Sequence, residues 1–176
     1  MRKKTMVELS HQILLSQINK SSILVDATLG NGYDSLFLAP LVKEIHAFDI
    51  QKEAIDTSKA LLKDYSNIYY YLKSHVYVTD TVPNYDGVLF NLGYLPNSDK
   101  KIKTHYETTL QAIDKLHQKR QGFILVVAYP GHDEGLMEYV ALQSYLDKKE
   151  ISYEVHKLPH MTKKDAPVIF FWKYTS

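Results

Sequence analysis

The chain has 176 residues, 45% hydrophobic and 23% charged, which fits one globular domain with a core of its own. A net charge of +1 excludes a strongly basic protein that coats nucleic acid, and the lack of cysteine excludes disulfides and thiolate metal centres. The opening "MRKKTMVELSHQILLSQINKS" has no apolar run long enough for a signal peptide or membrane helix, so a cytoplasmic protein without membrane association is expected.

In chain order, residues 1–20 form a leading helix whose Met6, Leu9, Ile13, Leu14 and Ile18 share one side and are expected to pack across the end of a sheet. Ile23-Leu24-Val25 reads as a short strand, followed by a glycine turn and a short helix in "YDSLFLAPLV". "EIHAFDI" is the next strand. "KEAIDTSKALLKDY" then sets Ala54, Ile55, Leu61, Leu62 and Tyr65 near one helical face. "NIYYYLKS" and "YDGVLFN" read as further strands, and Thr104 with Glu107 fits a capping box that opens a helix carrying Leu110, Ile113 and Leu116.

"GFILVVAY" is an unbroken apolar run, as in a strand covered on both faces. A helix from about Glu134 to Lys149 precedes "SYEVHKL" and "PVIFFWKY". Strands separated by helices predict parallel βαβ units, whereas the last two, joined only through "PHMTKKDA", predict an antiparallel pair at one edge. The fold class is therefore α/β: one domain over 1–176, with a Rossmann-like, seven-stranded, mostly parallel sheet, a reversed last strand and helices on both faces.

"VDATLGNGYD" lies where such a fold binds its cofactor, at the carboxyl end of the first strand. Gly30 and Gly32 permit a tight turn and close approach of the backbone to a ligand, with Asn31 between them, although G-x-G alone also describes a routine strand-to-helix turn. Asp26 ends the first strand and Asp49 the second. A carboxylate at Asp49 suits the ribose hydroxyls of an adenosine cofactor, with Gln51 beside it; the structural alternative is a cap for the helix near Lys52. The third glycine of a dinucleotide site is replaced by Ser35, and Asp34 would repel a phosphate. A phosphate-free, positively charged cofactor suits Asp26 and Asp34 better, which favours S-adenosyl-L-methionine over NAD.

The strings "DATLGNGYD", "FDIQKEAI", "KSH", "FNLGYLPNSDK" and "YPGHDEG" together resemble a family of small bacterial methyltransferases first labelled rRNA methylases. That family is now associated with the tRNA wobble uridine, converting 5-aminomethyl-2-thiouridine to 5-methylaminomethyl-2-thiouridine. The resemblance runs from about Val25 to the C-terminus and implies a class I methyltransferase fold, S-adenosyl-L-methionine as cofactor and a tRNA anticodon loop as partner. Many members have Gly-Gly before the Asp-Lys of the fourth string, where this chain has Asn97-Ser98, which bears on that loop's conformation. The resemblance also implies that Ser74 and His75 face the cofactor.

Asn91-Leu92-Gly93-Tyr94 is a variant of the Asn-Pro-Pro-aromatic motif of amine methyltransferases. An Asn oxygen and a nearby backbone carbonyl can accept an amine's two N–H bonds and aim its lone pair, Gly93 lets the backbone bend close, and Tyr94 offers a face to a splayed-out pyrimidine. The plainer role of Asn91 is to satisfy turn amides. Lys100, Lys101 and Lys103 follow this motif and are expected to meet RNA phosphates, unlike the solvated pairs Lys148-Lys149 and Lys163-Lys164.

His132 sits past the fifth strand and is a candidate to face the substrate and take the amine's proton; loss of that proton to water is the alternative. The remaining histidines show no metal-ligand spacing. Rival functions are methylation of rRNA or a small-molecule amine, and a non-catalytic module that binds S-adenosylmethionine or RNA. The amphipathic first helix and aromatic last strand are compatible with a homodimer.

Overall fold

The computed structural model describes residues 2–93 and 106–174. Helix α1 (Met6–Leu15) starts at Thr5, whose hydroxyl accepts the Glu8 N–H while the Glu8 carboxylate accepts the Thr5 N–H, a reciprocal cap that satisfies two free donors. Then follow β1 (Ile23–Asp26), α2 (Tyr33–Leu38), β2 (Glu44–Asp49), α3 (Lys52–Leu61) and β3 (Ile68–Leu72). The chain continues through α4 (Val78–Thr81), β4 (Gly87–Asn91), α5 (Tyr106–Lys119), β5 (Phe123–Ala128), α6 (Asp133–Lys148), β6 (Glu154–His156) and β7 (Val168–Lys173).

The seven strands lie in the order β3-β2-β1-β4-β5-β7-β6. All neighbouring pairs are parallel except those made by β7, which runs antiparallel to both β5 and β6. This is the expected α/β sheet with a reversed last strand. Order reverses at β1, which has β2 on one side and β4 on the other, and the carboxyl ends there form the crevice of a doubly wound sheet.

Side chains alternate between two cores. On β4, Val88 and Phe90 face a cluster with Ile113, Leu116, Leu142 and Leu146 of α5 and α6, while Leu89 faces Met6, Leu14, Leu38 and Leu62. Fully burying a ring such as Phe48, Phe90 or Phe170 contributes roughly 1.5–3 kcal/mol each. The leading helix thus joins the core on one sheet face, with Leu9, Ile13 and Ile18 packed against the same cluster. Gly87 is required where it stands, because a Cβ there would lie 2.2 Å from the Phe123 ring.

The β3–β4 crossover is shorter than the other crossovers suggest: a single turn at His75–Tyr77 and the four residues of α4. The β-branched residues Val76, Val78, Thr79, Thr81 and Val82 oppose a longer helix, and Pro83 keeps Val82 out of the helical region.

Candidate active site

The two-residue period puts Asp26, Asp49 and Asn91 on the sheet face that carries Leu24, Ala47 and Leu89. All three residues end their strands at the crevice. Asp26 is fully buried; its carboxylate accepts the Ser35 hydroxyl at 2.8 Å and the Thr28 N–H at 3.3 Å. Burial, and then the charge of Asp34, push its pKa up to about 7, with Asp49 adding to the rise.

The glycine turn is tied on three sides. Leu29 N–H donates to the Phe48 carbonyl, Gly30 N–H to the Asp49 carboxylate at 2.9 Å, and the Ser58 hydroxyl to the Gly30 carbonyl at 2.9 Å. Gly32 has φ +86°, and a Cβ there would lie 2.8 Å from Ser58 Oγ, so both conformation and space demand glycine. Asn31 spans the turn between the two glycines. Gln51, not Asp49, is the residue that precedes the first turn of α3, and its side chain makes no cap bond. Asp49 instead accepts the Gln51 N–H at 2.9 Å as well as that of Gly30, so it anchors the turn; burial raises its pKa. Beside it Ile50 is 54% exposed, an apolar surface open at the crevice.

Ser74 caps the turn after β3 by accepting the Val76 N–H. His75 is buried, with Nδ1 3.3 Å from the Ala27 carbonyl and its ring edge-on to Phe90 at 5.3 Å. Burial lowers its pKa to about 4, so the ring is neutral; Nδ1 donates to the carbonyl and Nε2 is a buried acceptor without a partner. Asn91 N–H donates to the Thr28 hydroxyl at 2.6 Å, and the Leu92 N–H to the Val127 carbonyl, before Gly93 turns the chain at φ +149°. Tyr94, Lys100, Lys101, Lys103 and the capping residue Thr104 lie outside the described residues.

His132 has a different place from the one its sequence position suggests. It is the N-cap of α6, where its Nδ1 accepts the Gly135 N–H at 3.1 Å. The nitrogen that a base would use is engaged in that cap. Two further site residues escaped the sequence reading. His11 of α1 meets the Asp34 carboxylate at 2.7 Å and stacks on Phe37 at 4.0 Å. Tyr129, just past β5, is hydrogen-bonded to the Asn91 side chain and feels the charge of Asp34. Each is a contact between residues far apart in the chain. The one local cue for His11 is its place in an amphipathic helix whose other inward positions are apolar.

Asp26 sets a pH dependence of stability. The folded protein holds a proton there that the unfolded chain, with the ordinary value of 3.8, has already released, so stability falls as pH rises from 3.8 to about 7. Glu138, buried between α5 and α6 and raised to about 8 by burial and by Glu134, acts in the same direction. Urea unfolding across this window should show the decline, and Asp26→Asn should make it shallower; an unchanged slope would show that Asp26 is ionised throughout.

The convergence of Asp26, Asp34 and Asp49 favours a cationic ligand, and a glycine turn at the switch point admits one close to the backbone. The unpartnered His75 Nε2 offers it a further acceptor. With the sheet order and the Asn-Leu-Gly strand end, these features define a Rossmann-like class I methyltransferase that uses S-adenosylmethionine. The family model described as "Putative rRNA methylase" matches residues 45–173, and the chain belongs to that family.

A curated Arabidopsis thaliana protein, the chloroplastic tRNA (mnm(5)s(2)U34)-methyltransferase, is 30% identical over 96% of this chain and 69% of its own length. The crystal structure of a putative rRNA-methylase from Clostridium thermocellum matches 99% of this chain and 100% of its own at TM-score 0.89 and 29% identity. A Streptococcus mutans methyltransferase solved with S-adenosylhomocysteine matches 97% of this chain and 98% of its own at TM-score 0.83 and 28% identity. Among the described residues, no helix is long and apolar enough to cross a membrane.

Proposed function

We propose that this methyltransferase acts on tRNA, N-methylating the primary amine of 5-aminomethyl-2-thiouridine at the wobble position of the anticodon loop. The observation that carries the chemistry is Asn91, an amide held at the end of β4 on the same face as the cofactor carboxylates. Support for the substrate comes from the relative named for that uridine, aligned over 96% of this chain.

In this reading Asp49 accepts the ribose hydroxyls and Ile50 covers one face of the adenine. Ser74 and His75 border the base, and Gly30, Asn31 and Gly32 line the chain of the cofactor. Asp26 and Asp34, with Gln51 at the rim, complete an acidic cradle that suits a cation. When bound, S-adenosylmethionine supplies a methyl group to which the amine lone pair bonds as the carbon–sulfur bond breaks, its electron pair passing to sulfur and the ammonium's proton to water. Asn91 Oδ1 and a backbone carbonyl near Gly93 accept the amine N–H bonds and point the lone pair along that line. With His132 Nδ1 engaged in its cap, water is the better proton acceptor.

Tyr94 is assigned to stacking on the uridine, and Lys100, Lys101 and Lys103 to phosphates. Replacing the three lysines together should raise the apparent KM for tRNA and flatten its salt dependence, with cofactor affinity unchanged. An identical salt slope in wild type and variant would return them to solvated surface charge. Labelled methyl transfer offered in parallel to tRNA, rRNA and a small amine tests the substrate class; label confined to tRNA is expected, and label in either rival alone would refute it.

A further inference from the structure

Sheet geometry brings Tyr129 to Asn91. In the β4–β5 register Asn91 pairs with Val127, so Tyr129, two residues further on, projects from the same face as Val127 and lies diagonal to Asn91. The Leu92 N–H to Val127 carbonyl bond holds the two strand ends together just there. The Tyr129 ring packs against the core cluster that contains Val127, Leu89 and Leu29, which fixes where its hydroxyl can reach. That hydroxyl is hydrogen-bonded to the side chain of Asn91.

The sense of this bond follows from its effect. Burial and the Asp34 charge raise the phenol pKa, and the Asn91 bond opposes the rise, as an N–H donated to the phenol oxygen does. The Asn91 NH2 group is thereby engaged, and Oδ1 is left for another donor. An amide rotated by half a turn would instead present NH2 to the substrate, where it repels the amine's N–H bonds or donates to the lone pair that must react.

We propose that Tyr129 is a positioning residue for methyl transfer, fixing the Asn91 amide so that its oxygen faces the incoming amine. The inference rests on the reading that Asn91 aims the amine, and it goes beyond that reading by naming what aims Asn91. Tyr129→Phe keeps the ring and its packing and removes only the hydroxyl.

The test is a double-mutant cycle in single-turnover kinetics with tRNA, joined to nuclear magnetic resonance of the Asn91 side-chain NH2 in the cofactor-free protein. Tyr129→Phe is expected to lower kcat about threefold to tenfold, the span of one neutral hydrogen bond, with KM for tRNA and cofactor affinity unchanged. In an Asn91→Ala background it should cost nothing further, and in the single variant the NH2 resonances of Asn91 should shift. Equal losses in both backgrounds, or an unmoved NH2 signal with a wild-type rate, would overturn the proposal while leaving Asn91 in its role. Asn91→Ala at the wild-type rate would overturn the aiming role itself, and this proposal with it.

Discussion

Replacing Asn91 with alanine is expected to lower kcat by about a hundredfold or more, with fold and cofactor affinity intact. The loss of one orienting acceptor in a site sheltered from water is typically worth roughly 2–4 kcal/mol of transition-state stabilisation. The fold should survive because the Asn91 bond to Thr28 uses the backbone N–H, which alanine retains, and because the side chain is only half-buried. Asn91→Asp sharpens the test. It keeps the acceptor oxygen but adds a carboxylate on the face that already carries Asp26 and Asp34, favouring the protonated, unreactive amine. Activity of that variant should therefore recover in part as pH rises, whereas Asn91→Ala should show no such recovery. Single-turnover rates with saturating tRNA across a pH series give both answers.

Asp49→Ala carries the second large effect, on binding instead of rate. Removing the carboxylate takes away its hydrogen bonds to the ribose, worth roughly 1.5–3 kcal/mol, or about tenfold to more than a hundredfold in cofactor affinity. It also frees the Gly30 and Gln51 N–H groups, so the glycine turn loses an anchor. Asp49→Asn separates the two losses, since a neutral acceptor keeps one backbone bond and surrenders the charge. Calorimetry should rank affinity as wild type, then Asn, then Ala. Unchanged affinity in Asp49→Ala would leave the residue with its turn-anchoring role alone.

The sheet was legible in the sequence because each strand is written in its own residues: "GFILVVAY" is apolar throughout, and all six residues of β5 are buried. The glycine turn was legible for the same reason, since Gly30 and Gly32 are needed for a local backbone shape. What escaped was contact between distant segments. His11 and Asp34 meet because α1 folds back over the sheet face that α2 also covers, and nothing near His11 in the chain announces a carboxylate. Tyr129 reaches Asn91 only through the β4–β5 register, which no single stretch encodes. His132 misled in the opposite direction. Its place past a strand end suggested chemistry, but the acidic Asp133-Glu134 that follows marks the first turn of a helix, and the imidazole caps it.

The most direct measurement of the central claim is nucleoside mass spectrometry of tRNA carrying 5-aminomethyl-2-thiouridine, incubated with the protein and S-adenosylmethionine. The account predicts that this nucleoside is replaced by one that is a single methylene heavier, 5-methylaminomethyl-2-thiouridine, and that Asn91→Ala leaves it unconverted on the same timescale. An unaltered wobble nucleoside with active wild-type protein, or a new methyl group on a ring atom or another base, would contradict it.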